Sequence, residues 1–136
     1  MFVKVLNNGI VPKRATPGAA AFDLYTPEAL ALDPGLHKIK LGICLQLPEN
    51  TFGSIRCRSS LAKVGVSVEA GVIDEDYRGE VAVMLRVRTA VKCDRGHAIA
   101  QLIIQPYLKP DVIVIDDLDD TSRGSKGFGS TDLTYH

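Results

Sequence analysis

Residues 36–47 read LHKIKLGICLQL, and the periodicity of that run decides the fold class. Ile39, Leu41, Ile43, Leu45 and Leu47 alternate with Lys40, Gly42, Cys44 and Gln46. A period of two puts every second side chain on one face of an extended chain, whereas a helix would repeat its apolar positions every three or four residues. The run is therefore a strand with one buried face. The same alternation returns in EVAVMLRVR (80–88), with Val81, Val83, Leu85 and Val87 on one side and Arg86 and Arg88 on the other. AIAQLIIQ (98–105) is more continuously apolar, as an inner strand packed on both faces would be. FVKVL (2–6) reads as an edge strand and DVIVID (111–116) as a further short one, with Pro106 and Pro110 bracketing the link that precedes it. Helix is nearly missing. The candidates are TPEALAL (26–32) and SSLAKVG (59–65), where Ser59 or Ser60 would cap a single turn before Leu61. Many short strands between Gly- and Pro-rich turns make an all-β sandwich, barrel or jelly roll.

Bulk properties narrow the function. At 136 residues the chain holds one domain. Sixteen Lys and Arg balance sixteen Asp and Glu, so no net field draws it to nucleic acid or an anionic membrane, and any polyanion must be met by a local cluster. Cys44, Cys57 and Cys93 are odd in number and form no CxxC pair, against a disulfide scaffold or a zinc knuckle. Neither a signal peptide nor a run of 18 apolar residues is visible, so the expectation is a soluble intracellular protein, cytoplasmic, or nuclear if the source is eukaryotic or viral.

Three stretches could carry chemistry. EAGVIDEDYRGE (69–80) sets Asp74, Glu75 and Asp76 beside Tyr77, Arg78 and Gly79 between two strands. It is either a charged hairpin with Gly79 at positive φ, or a carboxylate base facing a pocket with an aromatic ring for a flat ligand. RCRSSLA (56–62) places Arg56 and Arg58 next to Ser59 and Ser60, a cradle for phosphate oxygens or simply a strand end with two solvated cations. The tail RGSKGFGSTD (123–132) follows an acidic patch at Asp116, Asp117, Asp119 and Asp120. Its composition is that of a mobile segment, yet its glycines, one arginine and one phenylalanine would also let it fold over a nucleotide.

Taken together, AAAFDLY (19–25), RCRSS (56–60), AGVIDEDYRGE (70–80), RGHAIAQL (95–102) and RGSKGFGST (123–131) resemble the five ordered motifs of trimeric deoxyuridine triphosphate nucleotidohydrolases, the dUTPases. The resemblance covers essentially the whole chain. It implies a distorted jelly roll of the β-clip type with one short helical segment, a core over 1–119 and a C-terminal arm over 120–136. Three copies would form a ring with active sites shared at the subunit interfaces. The implied reaction is Mg²⁺-dependent hydrolysis of dUTP to dUMP and pyrophosphate, which keeps uracil out of DNA and supplies the precursor of thymidylate.

The resemblance also implies roles. Asp74 would activate the water that attacks the α-phosphorus, with Asp76 structural. Arg58, Ser59 and Gln101 would hold the phosphate chain, and Ser60 and Gly71 would assist through the backbone. The hairpin at Gly71, Val72 and Ile73 would receive uracil, read by main-chain groups, and Tyr77 would pack under deoxyribose and exclude a ribose 2′-OH. Arg123 would meet the γ-phosphate and Phe128 would stack on the base within a lid that includes Gly127, Gly129 and Ser130. Mg²⁺ would be held by phosphate oxygens and water, with Asp23 acting through water. No membrane and no nucleic acid are expected as partners.

The chain departs from the family at four places. Gly96-His97-Ala98 replaces the usual Gly-Asp-Arg, which removes an ion pair and puts loop packing in question. Cys57 precedes Arg58 as a small filler or a reactive thiol, Glu69 brings charge to the uracil edge, and Asp132 brings charge to the lid. Two alternatives stand beside hydrolysis: the related dCTP deaminases, and a nucleotide-binding or regulatory protein of the same fold.

Overall fold

The computed structural model describes residues 1–129. Ten strands and one short helix follow in the order β1 (Phe2–Val5), β2 (Phe22–Tyr25), β3 (Leu30–Leu32), β4 (Gly35–Gln46), β5 (Thr51–Arg56), α1 (Ser59–Lys63), β6 (Val66–Glu69), β7 (Val72–Ile73), β8 (Glu80–Val87), β9 (Val91–Cys93) and β10 (Ala98–Pro106). They form two four-stranded sheets, β1-β4-β8-β6 and β2-β10-β5-β7, and the small pair β3-β9. All pairings are antiparallel. This is the all-β architecture with one helical turn that the alternation predicts.

One core joins the two large sheets. From the first come Ile39, Leu41, Ile43 and Leu45 of β4 and Val81, Val83, Leu85 and Val87 of β8; from the second come Leu24, Ile55, Ile99 and Leu102. Each such buried aliphatic side chain stabilises the fold by about 1.5–3 kcal/mol. β10 is an inner strand, as its apolar run requires, and Ala98, Ile99 and Ala100 are all buried because the register against β2 shifts between Ala98 and Ala100. β4 is bulged around Gly42, where the β8 register shifts by two residues, so Leu41 and Ile43 on either side both still face the core. Gly42 takes φ 69°, and its carbonyl accepts from the Leu6 N–H at 2.8 Å.

Two expected elements are absent. Residues 26–32 do not form a helix: the Thr26 hydroxyl donates to the Glu28 carbonyl at 2.7 Å, and β3 then pairs with β9. Pro27 follows buried Thr26, and Leu30 and Leu32 are spaced for a strand whose three-residue partner, Val91–Cys93, is too short to announce itself. Residues 111–116 form no strand either. Val112, Ile113 and Val114 are 93%, 78% and 94% exposed, because no sheet edge of the same chain lies alongside to pair with them. Among the described residues no helix is long and apolar enough to cross a membrane.

Candidate active site

The hairpin region crosses between the sheets twice. β6 belongs to the first sheet, β7 to the second and β8 to the first again. The first crossing is made at Ala70 and Gly71, with φ of 58° and 118°. Gly71 is required twice over: its φ is one that L side chains avoid, and a Cβ there would stand 2.6 Å from the Ile55 carbonyl oxygen. The Ile55 N–H donates to the Gly71 carbonyl at 2.7 Å, which locks the crossing to β5.

β7 then pairs with β5 and ends its sheet, so its outer edge has no strand partner among the described residues. The chain turns at Asp74–Tyr77, where the Tyr77 N–H donates to the Asp74 carbonyl at 3.1 Å. The Tyr77 hydroxyl donates to the Glu80 carbonyl at 2.9 Å and holds the ring over Gly79. Gly79 is not at positive φ, contrary to the expectation for a hairpin glycine. It is needed for close approach, since a Cβ would lie 2.5 Å from the Tyr77 hydroxyl oxygen.

These elements enclose a cleft of about 280 Å³ lined by Gly71, Val72, Ile73, Asp74 and Tyr77 over a floor from β8. Ile73 is buried and can reach a ligand only through its backbone, whereas Val72 is exposed. Among the described residues the Asp74 carboxylate has no hydrogen-bond or ion-pair partner, unlike Glu75 beside it. Glu69 pairs with Arg86 at 2.8 Å, so its charge is compensated at the rim. Lys38 and Met84 also line the cleft and were not singled out in the sequence. They face each other across β4 and β8, on the sheet face opposite the alternating Ile39 and Val83, which is the signal that could have found them.

A second cleft, of about 500 Å³, contains Asp23, Cys57, Arg58, Ser59 and Gln101. Asp23 on β2 stands opposite Gln101 on β10, which stands opposite Arg56 on β5. The Arg58 guanidinium meets Asp23 Oδ1 at 3.3 Å and donates to the Ala98 carbonyl at 3.1 Å. Gln101 Nε2 donates to the Cys57 carbonyl at 3.0 Å, leaving the amide's second N–H. Ser59 and Ser60 do not cap α1. Arg58 is its N-cap residue, without a side-chain bond to the helix.

Cys57 is half-buried, its Sγ donates to the Val66 carbonyl at 3.0 Å, and burial pushes the thiol pKa up, which favours the filler over the reactive thiol. The loop carrying His97 and Ala98 is packed by backbone bonds, from the Thr26 N–H to the His97 carbonyl and from the Gly96 N–H to the Thr26 carbonyl, at 3.0 and 2.8 Å. Loss of the family's acid and base there leaves those bonds intact.

Arg123, Gly127, Phe128 and Gly129 line neither cleft. Arg123 Nε donates to the Lys126 carbonyl at 2.9 Å, and Phe128 is fully exposed. Ser130 and Asp132 lie outside the described residues. One chain thus separates the predicted site residues into three groups, Gly71, Val72, Ile73, Asp74 and Tyr77 in the first cleft, Asp23, Arg58, Ser59 and Gln101 in the second, and the described tail residues in solvent, while Ser60 lines neither cleft. The two clefts share no lining residue.

Comparison with known proteins gives the family and the fold. Residues 7–132 match the family model described as dUTPase. The deoxyuridine 5'-triphosphate nucleotidohydrolases of Vaccinia virus (strain Copenhagen) and Monkeypox virus are each 41% identical over 135 residues, covering 97% of this chain and 92% and 89% of theirs. Among solved structures, the Staphylococcus bacteriophage 80alpha dUTPase with dUPNHPP superposes with a TM-score of 0.87 at 24% identity, covering 97% of this chain and 98% of that one. A mutant dUTPase of S. aureus phage phi11, described as coordinating a structural Mg(II) ion, superposes at 0.80 with 20% identity, covering 85% and 96%.

Proposed function

The chain belongs to the dUTPase family, and from that premise we propose that it hydrolyses dUTP to dUMP and pyrophosphate at sites shared among three copies. The observation that carries the proposal is the division of the motif residues between two clefts and an exposed tail. Among the described residues one chain holds base-site, phosphate-site and lid residues apart, and a ring of three would bring them together three times.

Uracil enters the hairpin cleft, where the free edge of β7 offers backbone donors and acceptors. Cytosine inverts that pattern at two positions, and each buried polar group left unpaired costs about 1–3 kcal/mol. Tyr77, held against Gly79, packs under deoxyribose and leaves no room for a 2′-OH. Arg58, Ser59 and Gln101 of a neighbouring copy take the phosphate chain, with Ser60 and Gly71 contributing backbone groups. Asp23 fixes the Arg58 guanidinium through their contact. Asp74 accepts a proton from water as the water oxygen bonds to the α-phosphorus in line, and the α–β bridging P–O bond breaks to release pyrophosphate.

The residues fit Mg²⁺ that arrives with the triphosphate. Asp23 is the one carboxylate among the described residues lining the phosphate cleft, too few for a cage of protein ligands, and Mg²⁺ keeps much of its water shell. Bound there, it neutralises charge on the phosphate oxygens. The tail, residues 120–136, closes as a lid with Arg123 on the γ-phosphate and Phe128 on uracil, while Gly127, Gly129 and Ser130 let the backbone follow the phosphates. The exposed 111–116 run fits an arm that pairs with another copy.

Pyrophosphate release measured with dUTP, dCTP, dTTP and UTP in parallel tests the assignment. Release from dUTP alone is expected. Equal release from dCTP or UTP would contradict the cleft's reading of base and sugar.

A further inference from the structure

The turn that carries Asp74 is fastened from outside by the segment leaving β10. Lys109 Nζ meets Glu75 Oε2 at 2.5 Å, and the Tyr107 hydroxyl reaches the same oxygen at 3.4 Å. Lys109 also sits 5.2 Å above the Tyr107 ring. That ring packs edge-on against Phe52 of β5 with centroids 5.7 Å apart, and the Tyr107 N–H donates to the Asn50 carbonyl at 3.2 Å. On the inner side Arg78 Nη1 donates to the carbonyls of Glu75 and Tyr77 at 2.8 and 3.2 Å. The turn is therefore held at Glu75 by its carboxylate and by its carbonyl, while among the described residues the Asp74 carboxylate next to it is left unengaged.

An exposed ion pair contributes little to stability, so thermodynamic stabilisation is a poor account of this arrangement. Position is a better one. A carboxylate base must sit within hydrogen-bond reach of the attacking water, and an error of about 1 Å costs up to about a hundredfold in rate. We propose that Lys109, supported by Tyr107, is a positioning residue that holds the Asp74–Tyr77 turn in its working geometry through the Glu75 carboxylate. This rests on the reading of Asp74 as the base. Because Lys109 begins the segment that continues to Arg123 and Phe128, the same contact ties the root of the lid-bearing arm to the catalytic turn of its own chain.

The test compares steady-state kinetics of the full chain for Lys109→Met, Glu75→Gln, the double variant and Lys109→Arg, with Asp74→Asn as reference. Lys109→Met should lower kcat about tenfold and raise KM by less than about threefold, since the turn carries Tyr77 as well as Asp74 while the β7 edge proposed to read uracil stays paired to β5. Glu75→Gln should match it, the double variant should be no worse than either, and Lys109→Arg should restore most of kcat. Melting temperatures within about 2 °C of wild type separate positioning from unfolding. Raising ionic strength under saturating dUTP should lower kcat in wild type and leave Lys109→Met unchanged. An inactive Asp74→Asn with wild-type kcat in Lys109→Met would overturn the clamp alone; full turnover in Asp74→Asn would overturn the base assignment and the clamp with it.

Discussion

The hairpin region 69–80 and the C-terminal segment 107–129 both carry charge and glycine, yet among the described residues the first is tied to its own sheets and the second, beyond Lys109, lies on none. In the hairpin the backbone is committed. Ile55 bonds to Gly71, Tyr77 to Glu80, and Arg78 to the turn it follows. In the C-terminal segment strand pairing has ended at Pro106, and Val112 to Ile115 stand out in solvent without a strand to pair with among the described residues. The difference teaches where each region finds its partners. The proposed function gives each its reason: a hairpin that would present backbone groups to a base is built against its own sheet, whereas a segment that would reach another copy's site leaves its apolar side chains uncovered within one chain.

The comparison can be broken at either end. The largest effect is expected from Asp74→Asn, which should cut kcat by about 10²–10⁴ with little change in melting temperature, as pyrophosphate release and thermal denaturation would report. Deleting residues 121–136 should lower kcat/KM by about a hundredfold while far-ultraviolet circular dichroism and melting stay near wild type, because the described part of that segment lines neither cleft. A loss of folding instead would mean that the tail belongs to the core. Replacing Val112 and Val114 together by Asp should shift the protein from trimer toward monomer in sedimentation, since charges cannot be buried in a strand against another chain without cost. Gly71→Val should destabilise by about 2–4 kcal/mol in urea denaturation, combining an unfavourable φ with the clash at the Ile55 carbonyl. The smallest effect concerns Cys57. Burial raises its thiol pKa, so the thiolate is scarcer at neutral pH than for a free cysteine and alkylation should be slow, accelerating only as pH climbs past the ordinary thiol range.

Much of the fold was legible because burial imposes a period on the chain. Residues 36–47 and 80–88 face the same core, and their alternation survives as β4 and β8. The failures have physical causes as well. TPEALAL has helix formers, but Leu30 and Leu32 find a sheet partner remote in sequence, and tertiary pairing overrides local propensity. DVIVID has the pattern of a strand and lacks a neighbour within its own chain.

Candidate site residues could be named from chemistry and family resemblance, and the structure fixes where each of the described ones lies. Their division between two clefts was not legible, because it depends on β6, β7 and β8 alternating between sheets. The role of Gly79 was misassigned for a related reason: a glycine in a turn suggests positive φ, and only the position of the Tyr77 ring reveals that space is what it supplies. Lys109 lay outside every motif, and nothing in the sequence joins it to Glu75.

The shared site is tested most directly by mixing subunits. Asp74→Asn spoils the hairpin cleft and Arg58→Ala spoils the phosphate cleft, so each variant alone should be inactive. Trimers assembled from equal amounts of both should regain turnover at about one site in four, since random assembly of a three-fold ring brings an intact hairpin cleft to an intact phosphate cleft that often. Mixed trimers as inactive as their parents would contradict the account and place the whole site within one chain.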